Sequence, residues 1–249
     1  MPAIGFVNEG KLAEGRDQTA QRTALLEQWL EAGLDLGNHT YSHRSFYHTP
    51  LAVYQADVLR GERVTRRLLE RRGRRLRYFR HPFLNTGPNL QAKEAFERFL
   101  GEHGYTIAPV TLDNDEWIYS GAYVNASVQG DSAAMRRIGA DYMRYMEETF
   151  VYFEHLSREL LGREPAQVLL LHANALNAEY LDELAAMMKR RGYRFVTLDA
   201  ALADPAYRNA DRYTGRSGLS WLERWSITRG RHPAPTPAVP QWVRSIARV

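Results

Sequence analysis

Apolar positions along the chain recur with two periods, and their alternation is the first thing the sequence reports. Residues 3–7 form a short continuous apolar run of strand type. A polar loop follows, and then Leu25, Leu26, Trp29 and Leu30 mark one face of a helix predicted over residues 19–32, with Gly33 as its stop. Residues 34–38 read as a second strand. Thr49 as N-cap and Pro50 at the first helical position predict a helix over 51–72, ended by Gly73. Residues 78–80 are strand-like, 89–101 helical, and 105–110 a strand that runs into Asp113-Asn114-Asp115-Glu116-Trp117. A long helix is predicted over 133–161. The run 167–172 reads as a strand buried on both faces, because it is continuously apolar until its last residue, His172. A helix over 179–191 capped by Gly192, a strand over 193–198 and a short helix from Ala200 complete the pattern.

Strands alternating with helices predict an α/β fold with a parallel sheet, most simply a barrel. In such folds chemistry gathers beyond the C-terminal ends of the strands. His39, His43, Arg80, the stretch 113–116 and His172 all fall at such ends and are expected to converge on one face. Beyond Asp204 the pattern changes. Pro233, Pro235, Pro237 and Pro240 break regular structure, so 204–249 reads as a C-terminal extension wrapping a domain of residues 1–203, pinned by Trp221 and Trp225.

Composition narrows the chemistry. With 249 residues and ordinary apolar and charged fractions, the chain is long enough to bury a sizeable core. It has no apolar run of membrane-spanning length and no visible signal peptide. Cysteine is absent, which leaves His, Asp and Glu as candidate metal ligands. The net charge is +4, with arginines concentrated between residues 60 and 80. Because Val58, Leu59, Val64, Leu68 and Leu69 are interleaved at helical spacing, the cluster reads as the solvated face of an amphipathic helix and not as a nucleic-acid site.

The candidate chemistry centres on His39-Thr40-Tyr41-Ser42-His43. Two histidines four apart share one face of a helical turn, so both imidazoles can reach one cation. His48, His81, His103, His155 and His232 have no partner pattern and read as surface or packing residues.

Together with Arg80-His81-Pro82-Phe83, Asp113 to Trp117 and Leu169-Leu170-Leu171-His172, the pentad resembles the motif set of the polysaccharide deacetylase family, the NodB-homology domain of carbohydrate esterase family 4. The resemblance covers residues 3 to about 203. It implies a NodB-like distorted (β/α) barrel and metal-dependent hydrolysis of N-acetyl or O-acetyl groups on an oligo- or polysaccharide. It implies His39 and His43 as ligands of a divalent metal, usually zinc. Arg80 resembles the arginine that orients the catalytic base, and the Phe83 N–H the oxyanion donor. Leu170 resembles the acetyl-pocket leucine and His172 the general acid. Asp113 or Glu116, with Trp117, resembles the carboxylate–tryptophan pair that tunes this histidine. The family is often exported, to the periplasm or outside the cell.

The family's first motif, an Asp-Asp pair on the first strand, has no counterpart here. The expectation is a barrel incomplete at the N-terminus, its first strand absent, lacking one ligand and the base, and therefore weak or inactive. A shortened chain, a degenerate non-catalytic carbohydrate-binding relative, and a substitute carboxylate such as Glu9 or Asp17 are the three explanations open at this stage.

Overall fold

The computed structural model describes residues 1–14 and 18–249. These form two compact units, one built from Met1–Pro109 with Val196–Asp199 and Ala210–Leu219, the other from Val110–Phe195 with Ala200–Asn209 and Ser220–Val249.

The first unit carries a four-stranded parallel sheet in the order β1 (Ile4–Val7), β2 (Asp35–Asn38), β3 (Tyr78–Phe79), β4 (Thr106–Ile107). Ile4 pairs with Asp35 and Val7 with Asn38, Asn38 in turn with Phe79, and Tyr78 with Thr106. Helices α1 (Glu9–Leu12), α2 (Thr19–Glu31), α3 (Leu51–Arg60), α4 (Arg63–Glu70) and α5 (Leu90–Glu102) connect the strands. Parallel strands need such crossovers, so the expected α/β class holds. The core is aromatic: Phe46, Tyr54, Phe79 and Phe96 are fully buried, with Phe46 stacked on Tyr54 at 4.6 Å between centroids. Each fully buried ring contributes about 2–3 kcal/mol through apolar burial. His81 lies in this cluster, edge-on to Phe79 and Phe96, which fits a packing residue.

The second unit is helical: α6 (Glu116–Val128), α7 (Ser132–Leu161), α8 (Ala175–Arg190), the end of α9 (Leu198–Leu202), α10 (Trp221–Thr228) and α11 (Gln241–Ala247). Ile138, Tyr142, Met146, Phe150 and Phe153 of α7 are fully buried, which is the helical period expected of the long apolar pattern. Asp131 caps α7 through the Ala134 N–H, and Ser220 with Glu223 forms a capping box on α10. Trp221 and Trp225 are both buried on α10.

Several sequence expectations need correction. The helix expected over 51–72 is two helices, α3 and α4, broken at Gly61. A Cβ at Gly61 would lie 2.3 Å from the carbonyl carbon of Thr40, so this position must stay open for the histidine loop. Thr49 is extended and its hydroxyl donates to the Ser45 carbonyl, leaving Pro50 as the capping residue and Leu51 as the first helical one. The run 167–172 is not a doubly buried strand. Its apolar side chains are half-buried, His172 is exposed, and pairing is limited to a parallel bridge between Leu112 and Leu169. Residues 193–197 form no strand, and β4 is confined to Thr106–Ile107. No helix among the described residues is long and apolar enough to cross a membrane.

Candidate functional site

In the first unit, β2 and β3 end side by side and deliver His39 and Arg80. The pentad after β2 is a loop and not the helical turn that its spacing suggests. Thr40 and His43 have φ of 65° and 52°. Non-glycine residues in this left-handed region carry local strain, so the rest of the structure must hold them there.

It does so by distributed hydrogen bonds. Asn38, fully buried, accepts from the Thr40 N–H at 2.8 Å and donates to the Val58 carbonyl and the Tyr105 hydroxyl. Asp57 accepts from both the Ser42 N–H (2.9 Å) and its hydroxyl (2.7 Å). Asn8 donates to the carbonyls of Thr40 and Tyr41, and Thr40 Oγ1 accepts from the His43 N–H.

The loop brings the two imidazoles together. His39 Nε2 and His43 Nε2 are 3.2 Å apart, and His39 Nδ1 lies 2.8 Å from the Arg80 carbonyl oxygen. A carbonyl only accepts, so Nδ1 carries the proton and a neutral His39 turns its Nε2 lone pair toward His43. Two imidazole nitrogens on one tetrahedral zinc-like ion at 2.0–2.1 Å would stand about 3.3 Å apart. The pair therefore fits two ligands of one cation, and the Arg80 carbonyl is the outer partner that fixes such a ligand's tautomer.

Among the described residues, however, no group of three or more His, Asp or Glu side chains is placed to hold a metal. Glu9, a candidate substitute ligand, is buried and spent on the N-terminus of α4, accepting from Val64 N–H at 2.9 Å and Thr65 N–H at 2.7 Å. Asp17 lies outside the described residues.

Arg80 is buried, its guanidinium 4.2 Å from the Phe6 ring centroid and its Nε 3.5 Å from the Ala108 carbonyl. Phe83 is exposed, has φ of 54°, and its ring packs against His43 at 4.7 Å. A Cβ on Gly218 would fall 1.7 Å from the Phe83 carbonyl oxygen, so only glycine permits this close approach.

The second unit holds a separate acid–base pair. Glu116 opens α6 and is 1% exposed. Its Oε1 accepts from His172 Nδ1 at 2.8 Å and from the His172 backbone N–H at 2.6 Å, while its Oε2 accepts from Asn174 Nδ2 at 3.0 Å. The His172 side chain is 54% exposed, and Glu116 anchors its ring at Nδ1. Of the two acids that the sequence left open, Glu116 is the histidine's hydrogen-bond partner.

Asp113 plays another part. Burial, with the charges of Glu223 and Asp115 adding to it, pushes its carboxyl up to about 7, against the opposing Asn114 N–H and His172. Trp117 is exposed, with its indole N–H donating to Asp115 at 3.2 Å. Leu170 is half-buried, its carbonyl accepting from Asn114 Nδ2 at 2.8 Å.

Asn174 and Asn177, unremarked in the sequence, complete this set. Asn174 caps α8 through the Asn177 N–H, and Asn177 Nδ2 donates to the His172 carbonyl at 2.9 Å. Asn174, two residues after His172, is a favoured N-cap residue and was the available signal.

Residues 1–108 match the family model described as polysaccharide deacetylase, a span that lies within the first unit. No curated protein sequence matches the chain. Among solved structures, BA3943 of Bacillus anthracis, a carbohydrate esterase family 4 pseudoenzyme, aligns at 15% identity and a TM-score of 0.48 over 81% of this chain. A mutant of BA3943 aligns at a TM-score of 0.50 and 15% identity over 81% of this chain and 57% of that one. A family 4 acetyl xylan esterase from Clostridium thermocellum, solved with cobalt, aligns at 18% identity and a TM-score of 0.49, over 81% of this chain and 77% of that one. The chain spans 56% of the length of the wild-type BA3943 chain.

Proposed function

We propose, from the match of residues 1–108 to the polysaccharide deacetylase family model, that the chain is a relative of that family and acts on acetylated carbohydrate by metal-assisted hydrolysis of an N-acetyl or O-acetyl group. The observation that carries this reading is the 3.2 Å approach of His39 Nε2 to His43 Nε2, with the His39 tautomer fixed by the Arg80 carbonyl.

His39 and His43 would hold a divalent cation, zinc by family precedent, which when bound supplies Lewis acidity and an activated water. The remaining roles belong to the chain itself. The Phe83 N–H is the donor proposed for the developing oxyanion, an interaction of about 3 kcal/mol in other hydrolases. His172 passes a proton from Nε2 to the leaving nitrogen or oxygen, and Glu116 holds the ring at Nδ1. Trp117 and Leu170 are proposed to wall the acetyl group, and Arg80 to orient the catalytic base. The base that deprotonates water is assigned to none of the described residues, and two imidazoles alone predict weak metal binding and low turnover.

A second reading has its own support. Glu9 is committed to α4, and no third ligand accompanies the two histidines among the described residues. Both facts favour a non-catalytic relative that holds acetylated carbohydrate without turnover.

One set of measurements separates the two. Zinc or cobalt titration of the full chain should show one site that is lost in His39→Ala and in His43→Ala. Metal-dependent acetate release from N-acetylglucosamine oligomers or acetylated xylan should vanish in His172→Ala. Metal binding unaffected by either histidine substitution overturns the ligand assignment. Glycan binding without acetate release at any metal concentration selects the second reading.

A further inference from the structure

Some arginines between residues 60 and 80 pair with carboxylates, and others, Arg75 among them, do not among the described residues. Arg66 pairs with Glu62 at 2.8 Å, Arg72 with Glu31 at 3.5 Å, Arg74 with Asp35 at 2.9 Å and Arg77 with Asp199 at 2.9 Å. Arg63, Arg67 and Arg71 are exposed and have no carboxylate partner among the described residues. Their spacing of four places them along one face of α4 and its C-cap. Arg60 extends this line across the break at Gly61, and its guanidinium sits 3.5 Å from the centroid of the Tyr41 ring. Tyr41 belongs to the histidine loop. Arg63, Arg67 and Arg71 thus span about 12 Å along the helix, with Arg60 between their start and the loop that carries His39 and His43.

We propose that this row is a binding track for an acidic polysaccharide, with carboxylates along its chain engaged by Arg63, Arg67 and Arg71, and with Arg60 at the end nearest the histidine loop. The identification of the partner as a glycan rests on the carbohydrate reading above. The track itself rests on unneutralised charge. Guanidinium groups match carboxylates in planar, two-pronged geometry. The competing anionic partners fit less well. A membrane-binding face needs large apolar side chains among its cations, whereas between Arg63 and Arg71 Leu68 and Leu69 are buried in the core and Val64 is half-buried, leaving exposed Leu59 beside Arg60. Single-stranded nucleic acid needs free aromatic faces for stacking, and the nearby Tyr41 ring is covered by Arg60. Glu70, exposed beside Arg67 and Arg71, is the one carboxylate of α4 that works against the track.

The test is binding of the full chain, without added metal, to polygalacturonate, followed by calorimetry or anisotropy over a salt series. The triple substitution Arg63→Gln, Arg67→Gln, Arg71→Gln should weaken binding about tenfold at low salt and flatten its salt dependence, while Glu70→Gln should tighten it about twofold. The charge-matched control Lys189→Gln, Arg190→Gln, Arg194→Gln removes three exposed cations of the second unit and should leave binding within a factor of two. Equal losses in the two triples overturn the proposal, as does tighter binding to single-stranded DNA or phosphatidylserine vesicles than to polygalacturonate. Because neither metal nor hydrolysis enters the readout, a failure of the track and a failure of the deacetylase reading are seen separately.

Discussion

Replacing Glu116 by glutamine should reveal how tightly the acid–base pair is specified. The carboxylate is 1% exposed and accepts three hydrogen bonds, two at Oε1 from His172 and one at Oε2 from Asn174. Glutamine keeps the shape but has only one acceptor end. With its oxygen toward His172, its amide nitrogen meets the Asn174 amide nitrogen, donor against donor. Asn174 cannot rotate away, because its Oδ1 accepts from the Asn177 N–H at 2.8 Å as the cap of α8. With the glutamine reversed, two His172 donors are left facing a donor, which is worse.

At least one buried donor is therefore unsatisfied, costing about 1–3 kcal/mol. The two bonds from His172 also change from charge-assisted to neutral, losing about half their strength. Relief of the buried charge offsets part of this. The net expectation is about 2 kcal/mol, or about 4–8 °C in Tm for a chain of this size. The partner substitution makes the test sharp. Asn174→Asp puts a second carboxylate beside Glu116 and should destabilise the parent. In the Glu116→Gln background it accepts from the new amide, still caps α8, and should recover half or more of the loss. The assay is a double-mutant cycle by calorimetry, with nitrogen-15 NMR of His172 to show whether the ring keeps its Nδ1–H form. A Glu116→Gln Tm within 1 °C of the parent, or Asn174→Asp equally harmful in both backgrounds, refutes the reasoning.

Two further predictions concern the separate units. Gly61→Ala places a Cβ 2.3 Å from the Thr40 carbonyl carbon and 2.4 Å from the Tyr41 nitrogen, backbone that cannot yield cheaply. It should cost about 1–3 kcal/mol and weaken cobalt binding in the same step, and a parent-like Tm would count against the close approach. Asp113 titrates near 7 in the folded chain and near its ordinary value when unfolded. Between about pH 4 and 7 the folded state therefore binds the extra proton, so the stability it contributes is full at low pH and is lost as pH rises through 7. The full displacement is worth about 4 kcal/mol, and partial solvent access reduces our expectation to about 1–2 kcal/mol. Urea midpoints of Asp113→Asn should fall less than the parent's between pH 5 and 8, and parallel curves would exclude the effect.

Much of the first unit was legible because its signals are local. Apolar runs fall at β1 to β3, Asn89 caps α5, and Gly73, with φ of 65°, ends the arginine-rich helical stretch. The histidine loop was legible in content but not in form. Its left-handed residues are imposed by Asn8, Asp57 and Gly61, which lie far from it in sequence, and no local pattern announces such partners. The choice between Asp113 and Glu116 failed to resolve for a related reason. The sequence reading placed no helix start at Glu116, and only the helix fixes which carboxylate points at His172. The strand over 167–172 was overcalled because a buried apolar run and a half-buried one look alike in composition.

The two units solve one problem in two ways, and the difference bears on their proposed roles. His39 and His172 are each anchored at Nδ1 with an acceptor 2.8 Å away, the Arg80 carbonyl for His39 and the Glu116 carboxylate for His172. Both anchors put the proton on Nδ1, and the role proposed for each ring is at Nε2. A carbonyl carries only a dipole, so it orients the ring while doing little to favour a second proton, which suits a nitrogen meant to give its lone pair to a cation. A carboxylate carries a full charge, so it favours the doubly protonated ring, which suits a group meant to deliver a proton. The carbonyl is held in place by the β2–β3 pairing, where the Arg80 N–H donates to the Asn38 carbonyl at 3.0 Å, and no side-chain substitution removes it. The carboxylate depends on one residue at the start of one helix. Loss of a single side chain can therefore abolish the acid while leaving the ligand pair intact, so His39 and His43 should outlast Glu116 and His172 in any relative that has drifted from catalysis to binding.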